Sequence, residues 1–241
     1  TVASTTGAQT IAAVTSAALT DFTLSSTTGA ITQTGTIAGD ALVNYSAEST
    51  TGALTLGAVT VGVTASNPLK TVSYTSTTGT VTTGNITASA GTAATAMTSY
   101  TIVMGANTSD NVYGALNLDT DGTLGTYSVT AGASTADNTY GVITAASVGA
   151  VNITTGNGGG SHTLATMATV LALGDITIDA DDNVTITTGA NSLATVGDIH
   201  VTTITGATVA LGTIGATDAV MGSITHTGAG TLTIITGAAL S

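Results

Sequence analysis

The chain repeats itself, and the repeat length limits its folds more than any other feature. Thr-Thr-Gly recurs at 5–7, 27–29, 50–52 and 77–79, so that Gly7, Gly29, Gly52 and Gly79 follow one another at 22, 23 and 27 residues. The triplet returns at 154–156 and 187–189. A second phrase, Gly-x-Ile-Thr, stands at Gly29–Thr32, Gly174–Thr177 and Gly222–Thr225, with Gly197-Asp-Ile-His200 in the same slot. A degenerate unit of about 22–25 residues, looser in the middle of the chain, is the signature of a stacked repeat architecture.

Within each unit the apolar residues alternate with polar ones. Ile176, Ile178 and Ala180 are interleaved with Asp175, Thr177 and Asp179, and Val184 and Ile186 with Thr185 and Thr187. Period two predicts strands with one face inward. Thr, Val and Ile suit a pleated surface because their branched Cβ packs well there. Glycine is expected to punctuate the turns through its freedom at positive φ. The expected fold is all-β, a β-solenoid resembling a parallel β-helix, with ten or eleven rungs at about 4.8 Å each giving a rod near 50 Å. Small core residues are expected, a narrow solenoid having little room for rings. The alternative is an antiparallel β-sandwich completed by a neighbour's donor strand. Residues 1–241 form a single domain on this reading, with 105–140, rich in Asn, Asp and Gly, as a loop-like insertion. Helical spacing of Leu164, Met167, Val170 and Leu171 predicts a short helix over 162–174, and a weaker pattern predicts one over 92–100.

Composition removes several functions. Lys70 is the only Lys or Arg, there are 13 acidic residues, and the formal net charge is −12. Nucleic-acid binding and attachment to anionic membranes both need cations. Only 6% of residues are charged while 42% are hydrophobic, which argues against intrinsic disorder. No apolar run is long enough for a membrane span. The chain opens on Thr1 rather than Met, so a removed leader and a secreted or cell-surface, extracellular location are expected. In that setting five sequons are candidates for glycosylation, at Asn44, Asn85, Asn107, Asn152 and Asn183.

The candidates for chemistry are few. Asn117, Asp119 and Asp121 followed by Gly122 resemble the opening half of a calcium loop, although Ser128 stands where a closing Glu would be. Asp179, Asp181 and Asp182 crowd carboxylates together and form a second candidate calcium site. Calcium is the one cofactor these residues suggest, the alternative being none. Thr120-Asp121-Gly122 faintly resembles one motif of polygalacturonase-like β-helix enzymes. Their companion motifs are missing, and the chain is expected not to be an enzyme. His162, His200 and His226 have no metal-like spacing. His200 and His226, in similar slots of successive units, are expected to lie near each other on adjacent rungs. Gly156–Gly160 is glycine-rich but lacks the Lys of a phosphate loop.

Thr-x-Thr pairs such as Thr32/Thr34, Thr185/Thr187 and Thr231/Thr233 would make a hydroxyl-methyl array on a flat face, as on ice-binding β-solenoids. Strand edges are usually guarded by Lys, Pro or bulges, and the chain has one Lys and one Pro. Thr10, Ile11 and Val14 near one end and Leu232, Ile234 and Ile235 near the other are uncharged and β-prone, and are read as assembly residues. The Thr-Thr-Gly and Gly-x-Ile-Thr phrases, with this composition, resemble repetitive prokaryotic surface proteins: S-layer subunits, filamentous adhesins of the haemagglutinin type and extracellular fibre subunits. The resemblance implies a self-assembling structural subunit of a filament or surface layer, with copies of itself as head-to-tail partners. An adhesin or carbohydrate-binding module that engages cell-surface glycans through exposed tyrosines is an alternative, and ice binding is another.

Overall fold

The computed structural model describes residues 1–61, 69–88, 96–106, 109–133, 135–156, 158–168, 172–188, 193–203, 206–211 and 220–236. It is a β-solenoid. Its described elements are all strands, and every pairing among them is parallel. The parallel ladders exclude the antiparallel sandwich.

The first sheet stacks Val2–Ser4, Asp21–Ser26, Asn44–Ser49, Thr71–Ser76, Ala96–Met104, Thr123–Ala133, Ser147–Gly156 and Ala172–Ala180 in chain order. It ends on two broken levels, Thr195–Val196 with Ile199–Thr203, then Val220–Met221 with Ile224–Thr227. The second sheet begins as two ladders of short strands. One runs from Gln9–Ile11 to Asn138–Tyr140, the other from Val14–Thr15 to Ile143–Thr144. Both pair with the single strand Ser161–Ala168. Beyond it the sheet continues as the unbroken strands Asn183–Thr188, Gly206–Leu211 and Thr231–Thr236. A three-sided coil therefore becomes a two-sided one along the axis.

Register explains the repeat. Paired positions Val2, Leu24 and Ala47 are 22 and 23 residues apart. Ala47, Tyr74, Ile102 and Val129 are 27 or 28 apart, and the spacing then returns to 23–25. The long middle turns hold the bulkiest contents. Tyr100 and Tyr113 share one turn, Tyr127 and Tyr140 the next, and all four are buried.

Three expectations are corrected. Residues 105–140 contain Asn111–Tyr113, Leu116–Asn117, Thr123–Ala133 and Asn138–Tyr140, paired like their neighbours. Asn111, Asn117 and Asn138 lie within these strands, while Asp110, Asp119, Asp121 and Asp137 lie between them. The helix expected over 162–174 is instead the strands Ser161–Ala168 and Ala172–Ala180, with 169–171 outside the described residues. Leu164 and Met167 both face inward because the pairing register slips between them, which mimics helical spacing. The second helix candidate gives way to Ala96–Met104, where Met97 and Tyr100 both point inward across a bend, residues 92–95 lying outside the described set.

The corners show why glycine recurs. A Cβ on Gly29 would fall on the carbonyl oxygen of Gly7, one on Gly52 on that of Gly29, and one on Gly79 on that of Gly52. Positive φ is not the reason. Among the described glycines only Gly159 and Gly228 adopt it, with φ of 87° and 110°. Glycine is needed because successive corners sit directly on one another. The threonines complete the stack: Thr28 and Thr51 donate their backbone N–H to the carbonyls of Thr5 and Thr27 at 3.0 Å each. Their hydroxyls reach the same carbonyls at 3.1 and 3.3 Å.

Candidate functional site

The interior is not the small-residue core that the composition suggests. Phe22 and all six tyrosines are buried. Tyr45, Tyr74, Tyr100 and Tyr127 form a spine with ring centroids 5.4–5.9 Å apart, and Phe22 stacks on Tyr45 at 6.1 Å. Tyr113, Tyr140 and His162 form a second, parallel run. Burial pushes the Tyr74, Tyr100 and Tyr127 phenols far up, so they stay protonated. No tyrosine is exposed to stack on a sugar.

Beside the rings runs a buried polar column. The backbone N–H of Val81 donates to Asn111 Oδ1 at 2.8 Å, and Asn111 Nδ2 donates to Asn138 Oδ1 at 2.6 Å. Asn138 Nδ2 lies 3.4 Å from His162 Nε2, and Tyr140 Oη lies 2.9 Å from His162 Nδ1. An amide nitrogen can only donate, so Nε2 is the acceptor and the ring is neutral with its proton on Nδ1. Burial pushes the His162 imidazole down, opposed by the carboxylates of Asp182 and Asp137. Asp182 itself is 1% exposed. Its Oδ1 accepts the backbone N–H groups of Gly158 and Gly159 at 3.1 and 2.6 Å, while Oδ2 is buried without a partner.

In the first calcium candidate Asp121 is exposed, and the other two side chains are engaged within their own turn. Asn117 Oδ1 accepts the N–H of Asp119, whose Oδ1 accepts the N–H of Thr120 at 2.7 Å, and Asp119 has φ of 73°. This is a self-contained turn whose oxygens serve its own backbone. Asp179 points outward from its strand between Thr154 and Thr202, whereas Asp182 points in. The two carboxylates face opposite ways because Asp182 lies with Asp181 at the bend after the strand, where the N–H groups of Gly158 and Gly159 hold it. No group of three metal-ligating acidic or His residues occurs among the described residues. Acidic side chains instead tie corners together: Asp175 Oδ1 accepts the N–H of Asp198, and Asp198 Oδ1 that of Ser223, at 3.0 and 2.7 Å. His200 and His226 do sit on paired strands, but His200 pairs with Thr225 and His226 with Val201, so they face opposite sides of the sheet.

The sequons differ in setting. Asn85 and Asn183 are exposed, and Asn152 is half-buried within a strand. Asn44 is held between Asp21 Oδ1 at 2.7 Å and the Thr71 hydroxyl at 2.6 Å. Asn107 lies outside the described residues. The Thr-x-Thr pairs are distributed over different faces and corners. The structure instead assembles one outward column, Thr10–Thr32–Thr55–Thr82, interrupted by Val112 and resumed as Thr139–Thr163–Thr185–Thr208–Thr233.

The two ends of the coil are the remaining feature. Inward columns are buried along the rod, yet Val2 is 37% exposed and Ile224 45%, and His226 is exposed although it continues the Leu24–Val201 column. The assembly residues lie on these end rungs. Ile11 is buried, Val14, Leu232 and Ile234 pack partly buried against the core, and Thr10 and Ile235 point outward. Compared with protein-family models, curated proteins and solved structures, the chain matches none. The fold defines its class, a parallel β-solenoid with an aromatic interior.

Proposed function

We propose that this solenoid is a self-assembling structural subunit of an extracellular filament or surface layer, its copies stacked head to tail. The observation that carries the reading is a coil of strands paired only in parallel among the described residues, in a chain with one Lys and one Pro to guard strand edges. Open parallel edges also offer backbone donors and acceptors to a further strand. A contact between two different ends of one molecule is heterologous and propagates into an open fibre or lattice.

Negative-stain images and sedimentation velocity over a range of concentrations test this. Rods that lengthen with concentration are expected. A uniform 23.0 kDa species at every concentration would refute it.

A further inference from the structure

The coil changes cross-section at one strand, Ser161–Ala168, which pairs with two short strands of the turn before it and with one strand of the turn after. His162 stands at the start of that strand and is 0% exposed. It faces Asn138 on the preceding turn and Val184 on the following one. Ser161 pairs with Asn183, so Asp182 lies one step before that pair, and its side chain is buried like that of His162. Diagonal neighbours on one face of a sheet are within reach of long side chains. Burial disfavours a proton on the ring, and of the two carboxylates that favour one, Asp182 acts more strongly than Asp137.

The neutral ring is tied to the preceding turn, through Tyr140 Oη at Nδ1 and Asn138 Nδ2 at Nε2. Asn138 cannot reverse its amide to meet a second ring proton. Its Oδ1 takes the Nδ2–H of Asn111, its Nδ2 also donates to the Ala136 carbonyl at 3.1 Å, and Asn111 Oδ1 is held by the N–H of Val81. A backbone N–H, which can only donate, therefore fixes the direction of the whole column. A proton added at Nε2 would set two donors against each other. On the following turn, Asp182 Oδ2 is a buried acceptor without a partner, while Oδ1 holds the N–H groups of Gly158 and Gly159. A lone buried charge is costly, and a cation placed against it relieves that cost.

The titratable and charged groups around the ring are Tyr140 and Asp137 on the preceding turn and Asp182 on the following one. Asp137 is exposed and already committed, its Oδ1 accepting the N–H and the hydroxyl of Ser161 at 3.0 and 2.7 Å.

We infer that His162 is a proton-operated latch between consecutive turns of the coil: neutral, its Nε2 is bound to Asn138 of the turn before, and protonated, its Nε2–H passes to Asp182 Oδ2 of the turn after. Nδ1–H stays on Tyr140 in both states. Acid thus moves one buried link from one side of the strand to the other, at the level where the three-sided coil becomes two-sided. It also leaves the Asn111–Asn138 column without its last acceptor.

Solution NMR of the full chain, from about pH 8 down to the onset of unfolding, tests this. At the upper end the ring is expected to carry one proton, on Nδ1. As it gains the second, the Asp182 carboxyl carbon and the Asn138 side-chain amide should shift with the same midpoint as the imidazole. Asp182→Asn keeps an oxygen for Gly158 and Gly159 but removes the charge, and should weaken the ring's proton affinity about tenfold or more. Asp137→Asn should weaken it less. The latch is overturned by a ring that stays singly protonated until the coil unfolds, or by an Asp182 carboxyl carbon that ignores the imidazole's titration. An Asp182→Asn variant whose ring titrates as in the wild type overturns it too. Should that variant not fold, the wild-type titration decides alone.

Discussion

Gly52 has no room for a methyl group, because its Cβ would occupy the place of the Gly29 carbonyl oxygen. Gly52→Ala must push two corners apart, and overpacking of this kind costs about 1–3 kcal/mol. Urea or thermal unfolding reads it, and unchanged stability would refute direct corner stacking. His162 makes the opposite kind of prediction, one of pH. Its folded-state imidazole is held below the ordinary value of 6.5 by burial, so the unfolded chain binds the proton more readily. Stability is then full above about pH 6.5 and falls as pH drops below it, until the folded ring also protonates. His162→Asn would extend the Asn111–Asn138 column with a group that does not titrate. The slope of stability against pH just below 6.5 should shrink in that variant. Tyr113 carries a buried hydroxyl with no partner. Tyr113→Phe is therefore expected to leave stability unchanged or raise it by about 1 kcal/mol.

Strands and corners differ in how legibly the sequence wrote them. The alternation through Ile176, Ile178 and Ala180 places all three inside, as period two requires. The Thr-Thr-Gly corners are found from their recurrence, but the reason for their glycine is visible only when one corner is set on the next. The helix-like spacing of Leu164 and Met167 misleads because a register slip and a helical turn can both return side chains to one face after three residues. The aromatic spine is hidden for a similar reason. Tyr45 and Tyr74 belong to different inward columns, with Ala47 paired opposite Tyr74 and Val72 opposite Tyr45. Other rings are direct neighbours in one column, Phe22 on Tyr45 and Tyr100 on Tyr127, and only the pairing register reveals which rings meet. The carboxylates at 179–182 look clustered in one dimension, but Asp179 faces outward from its strand while Asp182 turns inward at the bend that follows. The spine gives this scale its own prediction. Tyr100→Ala, at the centre of the longest turns, should cost about 3–5 kcal/mol in an unfolding titration. A cost below about 1 kcal/mol would mean the stacked rings are not packed as a unit.

At the scale of the whole molecule, the hydrogen bonds of every ladder run along the rod and the strands run across it. Tension along the coil therefore loads the rungs in series, and the weakest one yields first. Each released turn of 22–28 residues would pay out about 70–100 Å of slack chain. Pulling a single copy by its ends in an optical trap should then give a staircase of short, nearly equal extensions in place of one large rupture. Such a coil would lengthen under load by giving up one turn at a time and rewind when the load is removed.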